Sequence, residues 1–402
     1  MNKRLDSEIS SSGGKLEDRQ CADSAVESNR PPGGEPARAG LGSGGERGTS
    51  SDLRASELII DSLGAEYDGL RDDYVRSRSS STLFHLTGWS RAVERAFGAG
   101  RRDLVATEGG RIVGVLPLSS CRRALGGHYW ISAPWGVYGG PLADRPDISA
   151  QLVAVARERA EAAGVGRIEL RCREDPGLGE LVASDLYCTF RKPLPEREED
   201  VRRTFPRTER KALRHAAERD DLWVEEGHHL RPDLERLFLS SKRGLGSPGL
   251  PERWWDALEA ELGEQYVLHA ARRGGELLAV SLTFLHGGEA AMYYIGTAPE
   301  ANRRYRATTF LIASCMEWSV RHGYRLFDLG RSRRDSGACT FKVNQGFEPE
   351  PLHYRFALSS AGAGVPSFHP SNPRTALLRR TWSRLPLWAC GALSGRLATF
   401  LP

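Results

Sequence analysis

Only six of the 56 basic residues are lysine, and the seven cysteines, at 21, 121, 172, 188, 315, 339 and 390, form no C-x-x-C pair. Nor is there a run of about 18 uninterrupted apolar residues, which excludes a bundle of membrane-spanning helices. The odd, scattered cysteine set argues against a zinc ribbon and against a disulfide-stapled secreted domain, so no metal site is expected. No signal-peptide apolar core is present at the N-terminus, and a cytoplasmic protein is expected. Residues 1–52 hold no aromatic residue at all. Gly, Ser, Pro and charge dominate them, too little apolar surface to offset the entropy of ordering, so a disordered tail is expected there. A net charge of +4 is too small to identify a nucleic-acid binder, and no DNA partner is expected. What is present is 40% apolar residues over 402 positions, enough for real cores and for two or three domains.

The middle of the chain repeats itself. A strand-like run at 104–107, a Gly109-Gly110 turn and a second run at 112–118 return as 267–271, Gly274-Gly275 and 277–285. An aromatic strand follows in each copy (129–133 and 292–296), then a helical stretch (150–163 and 308–322) that stops at Gly164 or Gly323. Glycine tolerates the left-handed conformation at a helix C-terminus. A short strand closes each unit, at 167–171 and 325–329. Hairpin, third strand, helix and parallel returning strand make an α/β unit. Two copies this long mean paired domains rather than a solenoid. Helices are expected before each hairpin, at 89–97 in the first copy and at 234–239 and 252–262 in the second. The boundaries expected are 53–195 for the first domain, 196–358 for the second, and 359–402 for a linker and a basic C-terminal tail.

That tail, from Arg374 to Pro402, has five arginines, no acid, and Trp382, Trp388 and Phe400. Leu393, Leu397, Phe400 and Leu401 share one helical face. A basic amphipathic helix of this kind suits an anionic membrane surface, which would place the protein at the inner face of the membrane; alternatively it packs back on the domain. Arg207, Lys211 and Arg214, at i, i+4 and i+7, would form one basic helical stripe suited to phosphates of tRNA or of a nucleotide- or lipid-linked acceptor, or else a solvated face balanced by Glu209 and Glu218.

The repeated unit, with Phe327-Asp328-Leu329-Gly330-Arg331-Ser332, then Phe341-Lys342, then Gly346-Phe347-Glu348-Pro349-Glu350-Pro351, resembles the FemAB family, tandem acyltransferases of the GNAT superfamily. The branch associated with exosortase (PEP-CTERM) and exopolysaccharide genes is similar in this series and in the Asn-Pro and Leu-Pro-Leu tail, here Asn372-Pro373 through Leu385-Pro386-Leu387. The likeness is good over 200–402, weaker over 56–190 and absent from the first 50 residues. It implies two tandem GNAT-like domains packed around a shared cleft, and acyl or aminoacyl transfer to an amine of a cell-envelope or exopolysaccharide precursor by direct attack. The donor would be aminoacyl-tRNA or acyl-CoA. A CoA-dependent N-acyltransferase and a non-catalytic scaffold for polysaccharide assembly on the membrane remain as alternatives.

The resemblance places the Phe341-Lys342 pair beside the acyl carbonyl, where a fixed cation would stabilise the developing oxyanion. Composition adds a hint: in an arginine-rich chain, a lysine is a candidate for a site needing a compact ammonium, against the plain reading of a surface lysine. Phe341 holds the lysine stem or the substrate, or belongs to the core. Asp328, where a strand ends before Gly330, orients Lys342, takes a proton from the incoming amine, or caps a loop. Cys339 is read as a spectator thiol. Arg331 and Ser332, in the matching series, are candidate substrate contacts. So are Arg243 and Pro248, in a loop expected at 242–248 beside the acceptor, and Tyr138 and Gly139, in a Trp135–Pro141 segment similar to the family's acceptor-side loop. The stretch Arg303–Thr309 lacks the glycines with which CoA-using relatives cradle pyrophosphate at a helix N-terminus, so a CoA site of the usual kind is not expected.

Overall fold

A computed structural model describes residues 57–122, 127–218, 221–359 and 373–400. The expected tail at 1–52 and most of the expected linker, 360–372, lie outside them.

Both copies of the repeat form the expected elements. In the second copy Tyr266–Arg273, Glu276–His286 and Glu289–Thr297 make an antiparallel meander. Its first turn uses Gly274 at φ 54°, a left-handed conformation that glycine adopts without a Cβ penalty. Helix Ala307–Arg321 follows and stops before Gly323 at φ 80°. Strand Leu326–Asp328 then returns parallel to Glu289–Thr297. With Leu222–Glu226 at one edge and Arg191–Pro193 at the other, this is a six-stranded sheet.

The first copy has the same order but is split between two sheets. Leu104–Glu108 and Arg111–Leu116 pair as the hairpin, while the aromatic strand His128–Ile131 pairs with Ser119–Arg122 in a different sheet. The break falls at Pro117, which has no N–H to continue a ladder. Helix Pro146–Ala162 and the parallel strand Arg167–Cys172 complete the copy, with Gly164 at φ 65° between them.

Strands cross between the halves. His353–Leu358, from the end of the second copy, pairs with Arg167–Cys172 of the first. Tyr187–Thr189 pairs with Ser332–Arg333 and with Glu350–Pro351. One hydrophobic core also draws on both copies, including Phe84, Trp89 and Tyr138 from the first and Trp254, Phe284 and Tyr294 from the second. Trp89 and Trp254 meet edge to face at 5.3 Å, and their indole N–H groups donate to the Pro134 carbonyl and the Tyr294 hydroxyl. Helices Thr87–Phe97 and Glu252–Leu262 approach so closely that a Cβ at Gly88 would lie 2.6 Å from the Glu261 carbonyl oxygen.

Helix Arg231–Gly244 runs further than expected: Lys242 and Arg243 belong to its last turn rather than to a loop. It lies across Glu289–Thr297, and the contact is backbone to backbone. A Cβ at Gly296 would fall 2.6 Å from the Phe238 nitrogen and 2.7 Å from the Leu237 carbonyl carbon. Two C-terminal helices, Pro373–Arg384 and Leu387–Leu397, pack on the same helix. Among the described residues no helix is long and apolar enough to cross a membrane. The backbone contact gives a direct check. Gly296→Ala should cost about 2–4 kcal/mol in chemical denaturation, whereas Gly275→Ala, with open space around its Cβ position, should stay within about 1 kcal/mol.

Candidate active site

The strand Leu326–Asp328 fixes the site. Its parallel pairing with Glu289–Thr297 stops at Ala291 opposite Asp328, although the longer strand continues to Thr297. The chain then leaves through Gly330, at φ 68°. The Trp135–Tyr138 segment of the first half docks here: the Tyr293 hydroxyl donates to the Trp135 carbonyl at 2.8 Å, and the Tyr138 hydroxyl donates to Asp328 Oδ2 at 2.7 Å.

Asp328 is buried and accepts three hydrogen bonds, from Tyr138, from the Gly330 amide at 2.6 Å and from the Thr189 hydroxyl at 3.3 Å. Burial holds its carboxyl above the usual carboxylate range, against the pull of those donors and of Lys342. A second carboxyl, Glu289, lies near enough for the two charges to repel. Burial and the Asp328 charge push Glu289 up to about 7, opposed by Arg173, whose Nη1 lies 3.0 Å from Glu289 Oε2, and by Arg191. Two interacting carboxyls, one buried and one partly buried, titrate as a pair.

Helix Gly337–Asn344, capped by the Ser336 hydroxyl accepting from the Cys339 amide at 3.2 Å, carries Phe341 and Lys342. Lys342 turns inward: its Nζ donates to the Gly330 and Arg331 carbonyls at 2.8 and 3.2 Å and lies 5.1 Å from the Phe190 ring centre. Burial pushes it down to about 8, with Asp328 pulling the other way. Phe341 is half-buried against the core of the second half. Cys339 lies beside Cys188, whose thiol is pushed up to about 11 by burial and by Cys339, the opposite of what a thiolate nucleophile needs.

Arg331 adjoins Lys342, and Lys242 adjoins Arg331. The Arg331 guanidinium lies over Tyr187 at 4.6 Å and donates to the Tyr354 hydroxyl at 3.1 Å. Lys242, over Phe238 at 5.2 Å, is pushed down by burial and by the charge of Arg331. Among the described residues, none of the three is within ion-pairing distance of a carboxylate. Ser332 is buried, and its hydroxyl has no hydrogen-bond partner there.

Gly139 donates its amide to the Arg171 carbonyl at 2.8 Å, and a Cβ on it would lie 2.5 Å from that of Ala133. Tyr138, Gly139 and Arg173 line a cleft of about 320 Å³ together with Thr82, His85 and Asp175. A narrow cavity of about 20 Å³, sharing Thr82 and Tyr138 with it, is lined by Glu289 and His286. The remaining candidates sit elsewhere. Arg207, Lys211 and Arg214 are exposed on helix Arg207–Glu218, with no hydrogen bond or ion pair to the described residues. Arg243 donates to the Leu385 carbonyl at 3.4 Å, so it anchors the C-terminal segment, and Pro248 is half-buried next to Gly249, whose amide donates to Ser394 Oγ at 2.9 Å. Sequence reasoning thus reached Lys342, Asp328, Arg331 and Tyr138, which the fold gathers. It missed Glu289, concealed behind the Gly287-Gly288 turn, and Lys242, concealed in an expected loop.

At the N-terminus of helix Ala307–Arg321 the groups that would cradle phosphate have internal partners. The Thr308 amide donates to Asn302 Oδ1 at 2.8 Å, and the buried Glu209 carboxylate accepts from Arg306 and, at 3.2 Å, from the Thr309 hydroxyl. No group of three His, Cys, Asp or Glu side chains among the described residues is placed to hold a metal ion.

Residues 189–343 match the family model described as an acetyltransferase (GNAT) domain. Among solved structures, FemX is similar with a TM-score of 0.60 at 13% identity, over 73% of this chain and 96% of that one. A tandem GNAT protein from the clavulanic acid biosynthesis pathway gives 0.47 at 17% identity, over 77% of this chain and 100% of that one. The C-terminal domain of a putative lysylphosphatidylglycerol synthetase from Agrobacterium fabrum gives 0.46 at 18%, over 73% and 92%. Comparison with curated protein sequences returns no match. Lys242, Glu289, Asp328, Arg331 and Lys342 therefore lie in the stretch that matches a GNAT acetyltransferase domain, and Tyr138, Gly139 and Arg173 outside it, within a mixed α/β chain that shares the fold of FemX.

Proposed function

We propose that the protein transfers an acyl or aminoacyl group to an amine of a cell-envelope or exopolysaccharide precursor by direct attack, with no acyl-enzyme. The observation that carries this reading is the inward ammonium of Lys342, fixed by two carbonyls near the buried Asp328 carboxyl and its partly buried neighbour Glu289. An ammonium has three donors. Two are held by Gly330 and Arg331, and the third is free to meet the oxygen of the donor's carbonyl as negative charge builds there. The Asp328–Glu289 pair takes the proton that the attacking amine must lose as its nitrogen bonds to the carbonyl carbon and the donor's ester or thioester bond breaks. Arg331 and Lys242, lacking carboxylate partners, suit an anionic group of the acceptor, and Tyr138 and Gly139 border the cleft it would enter.

Aminoacyl-tRNA suits the donor role better than acyl-CoA. The helix N-terminus at Ala307 already has Asn302 and Glu209 on its donors, and Glu209 would repel a pyrophosphate there. The exposed stripe of Arg207, Lys211 and Arg214 suits RNA phosphates. Incubating the protein with charged tRNA and, separately, with acetyl-CoA should show consumption of the former; consumption of acetyl-CoA alone would reverse the assignment of donor.

Two further outcomes follow for whichever donor is consumed. Lys342→Ala should lower kcat by about 10²–10³ while the melting temperature falls by only a few degrees, since two hydrogen bonds are lost. A fully folded variant with unchanged kcat would overturn the role given to Lys342. The pH profile of kcat/KM should be bell-shaped. The carboxyl pair must be ionised, so the rate rises through about 7, and the Lys342 ammonium must be retained, so it falls above about 8. Glu289→Gln should abolish or displace the acid limb, and Lys342→Arg the basic one.

A further inference from the structure

The C-terminal helices are built inside out. In helix Leu387–Leu397 and the turn after it, the residues that face the protein are small: Cys390, Ser394 and Ala398 are 0%, 0% and 3% exposed. Their packing is close, with Ser394 Oγ accepting from the Gly249 amide and Arg253 donating to the Gly395 carbonyl at 2.7 Å. Large apolar residues are left uncovered on the flanks of this helix. Trp388 is 78% exposed, and Leu393, Leu397 and Phe400, spaced by four and three positions, are each near 40%. The preceding helix, Pro373–Arg384, leaves Leu377 and Leu378 exposed at 72% and 70%. A helix that serves only to cover the domain would bury its large apolar residues and expose its small ones.

Charge indicates what covers this face. From Pro351 to Pro402 the sequence has six arginines, no lysine and no acid. Arg380, Arg384 and Arg396 are exposed among the outward apolar residues. Beside Phe400 a cleft of about 450 Å³ also has Arg102 and Arg122 in its wall, with the stacked rings of Phe97 and Trp135. A second copy of the chain meeting this face through a two-fold axis would bring like charges together with no carboxylate to relieve them. An anionic bilayer supplies both what the apolar side chains and what the arginines lack.

We propose that the two C-terminal helices and the Phe400 cleft form a docking surface for an anionic lipid bilayer, on which the protein lies without crossing it. Trp388, Leu377, Leu378, Leu393 and Leu397 enter the headgroup and upper acyl region, while Arg380, Arg384 and Arg396 meet lipid phosphates. This holds whether or not the transfer chemistry proposed above is correct, because no residue of the Lys342 cluster takes part.

Co-sedimentation of the full chain with phosphatidylcholine vesicles, with and without phosphatidylglycerol, tests it. Binding should be at least about tenfold stronger with the anionic lipid and should weaken as salt rises. Brominated lipid should quench the fluorescence lost in Trp388→Phe. Leu377→Ser/Leu378→Ser/Trp388→Ser should abolish binding, and Arg380→Gln/Arg384→Gln should remove most of its salt dependence, both with unchanged melting temperature. Absence of wild-type binding to either vesicle, or equal binding by the triple variant, would overturn the proposal. So would a wild-type dimer that the triple variant converts to monomer, since the face would then belong to a second copy.

Discussion

A buried carboxylate on one half of the chain, satisfied by a hydroxyl from the other, is the interaction on which the site depends. Asp328, at the end of its strand, is buried and forms no ion pair among the described residues. It is kept in the interior by the Tyr138 hydroxyl, the Thr189 hydroxyl and the Gly330 amide. An unsatisfied buried carboxylate would cost several kcal/mol, on the order of the margin by which domains are folded at all. The position of the Trp135–Pro141 segment is therefore bound to the second half's chemistry. Through Gly330 the same turn presents the carbonyl that holds Lys342, so carboxylate, turn and ammonium form one unit.

The charge economy of the chain follows from the same geometry. Arginine does the work of pairing carboxylates: Arg231 meets Glu235, Asp256 and Glu259, and Arg91 meets Asp68 and Glu261. Its planar fork suits such multiple contacts. Lysine behaves differently. Lys192, Lys242 and Lys342 have no carboxylate partner among the described residues. Each lies over a phenylalanine ring, and Lys192 and Lys342 each donate to two backbone carbonyls. Lys192 sits beside Gly346 and ties the end of the Lys342 helix to the Thr204 carbonyl. Three of the six lysines are thus partly desolvated cations held by carbonyls or rings, a role that Arg331 shares, whereas the networked cations named above are arginines.

Much of this was legible in the sequence because it is local. The glycine turns, the helix stops at Gly164 and Gly323 and the strand end at Asp328 are all properties of short windows. The parts that were not legible are non-local. Pro117 splits the first copy between two sheets, but which strand replaces the lost partner is decided by distant packing. His353–Leu358 joins the other half's sheet, and no periodicity announces a partner nearly two hundred residues away. Glu289 follows a Gly-Gly turn and reads as the polar start of a hairpin strand. Only the parallel register that places it opposite Leu326 brings it to Asp328. Lys242 was hidden by a misplaced helix end, since the loop expected at 242–248 begins within a helix that runs to Gly244. The basic stripe on Arg207–Glu218 was correctly placed on a helix, but a helical wheel does not say what the face meets.

The most direct test of the central claim, that a partly desolvated ammonium and the Asp328–Glu289 carboxyls share one electrostatic site, is an NMR titration of the lysine side-chain nitrogens. Six lysines are few enough for each to be assigned by single Lys→Arg variants. The account predicts that Lys342 titrates near 8, and that Asp328→Asn moves it lower still, because the carboxylate favours the charged amine. A Lys342 that titrates near the ordinary lysine value of about 10.4, unmoved by Asp328→Asn, would contradict it.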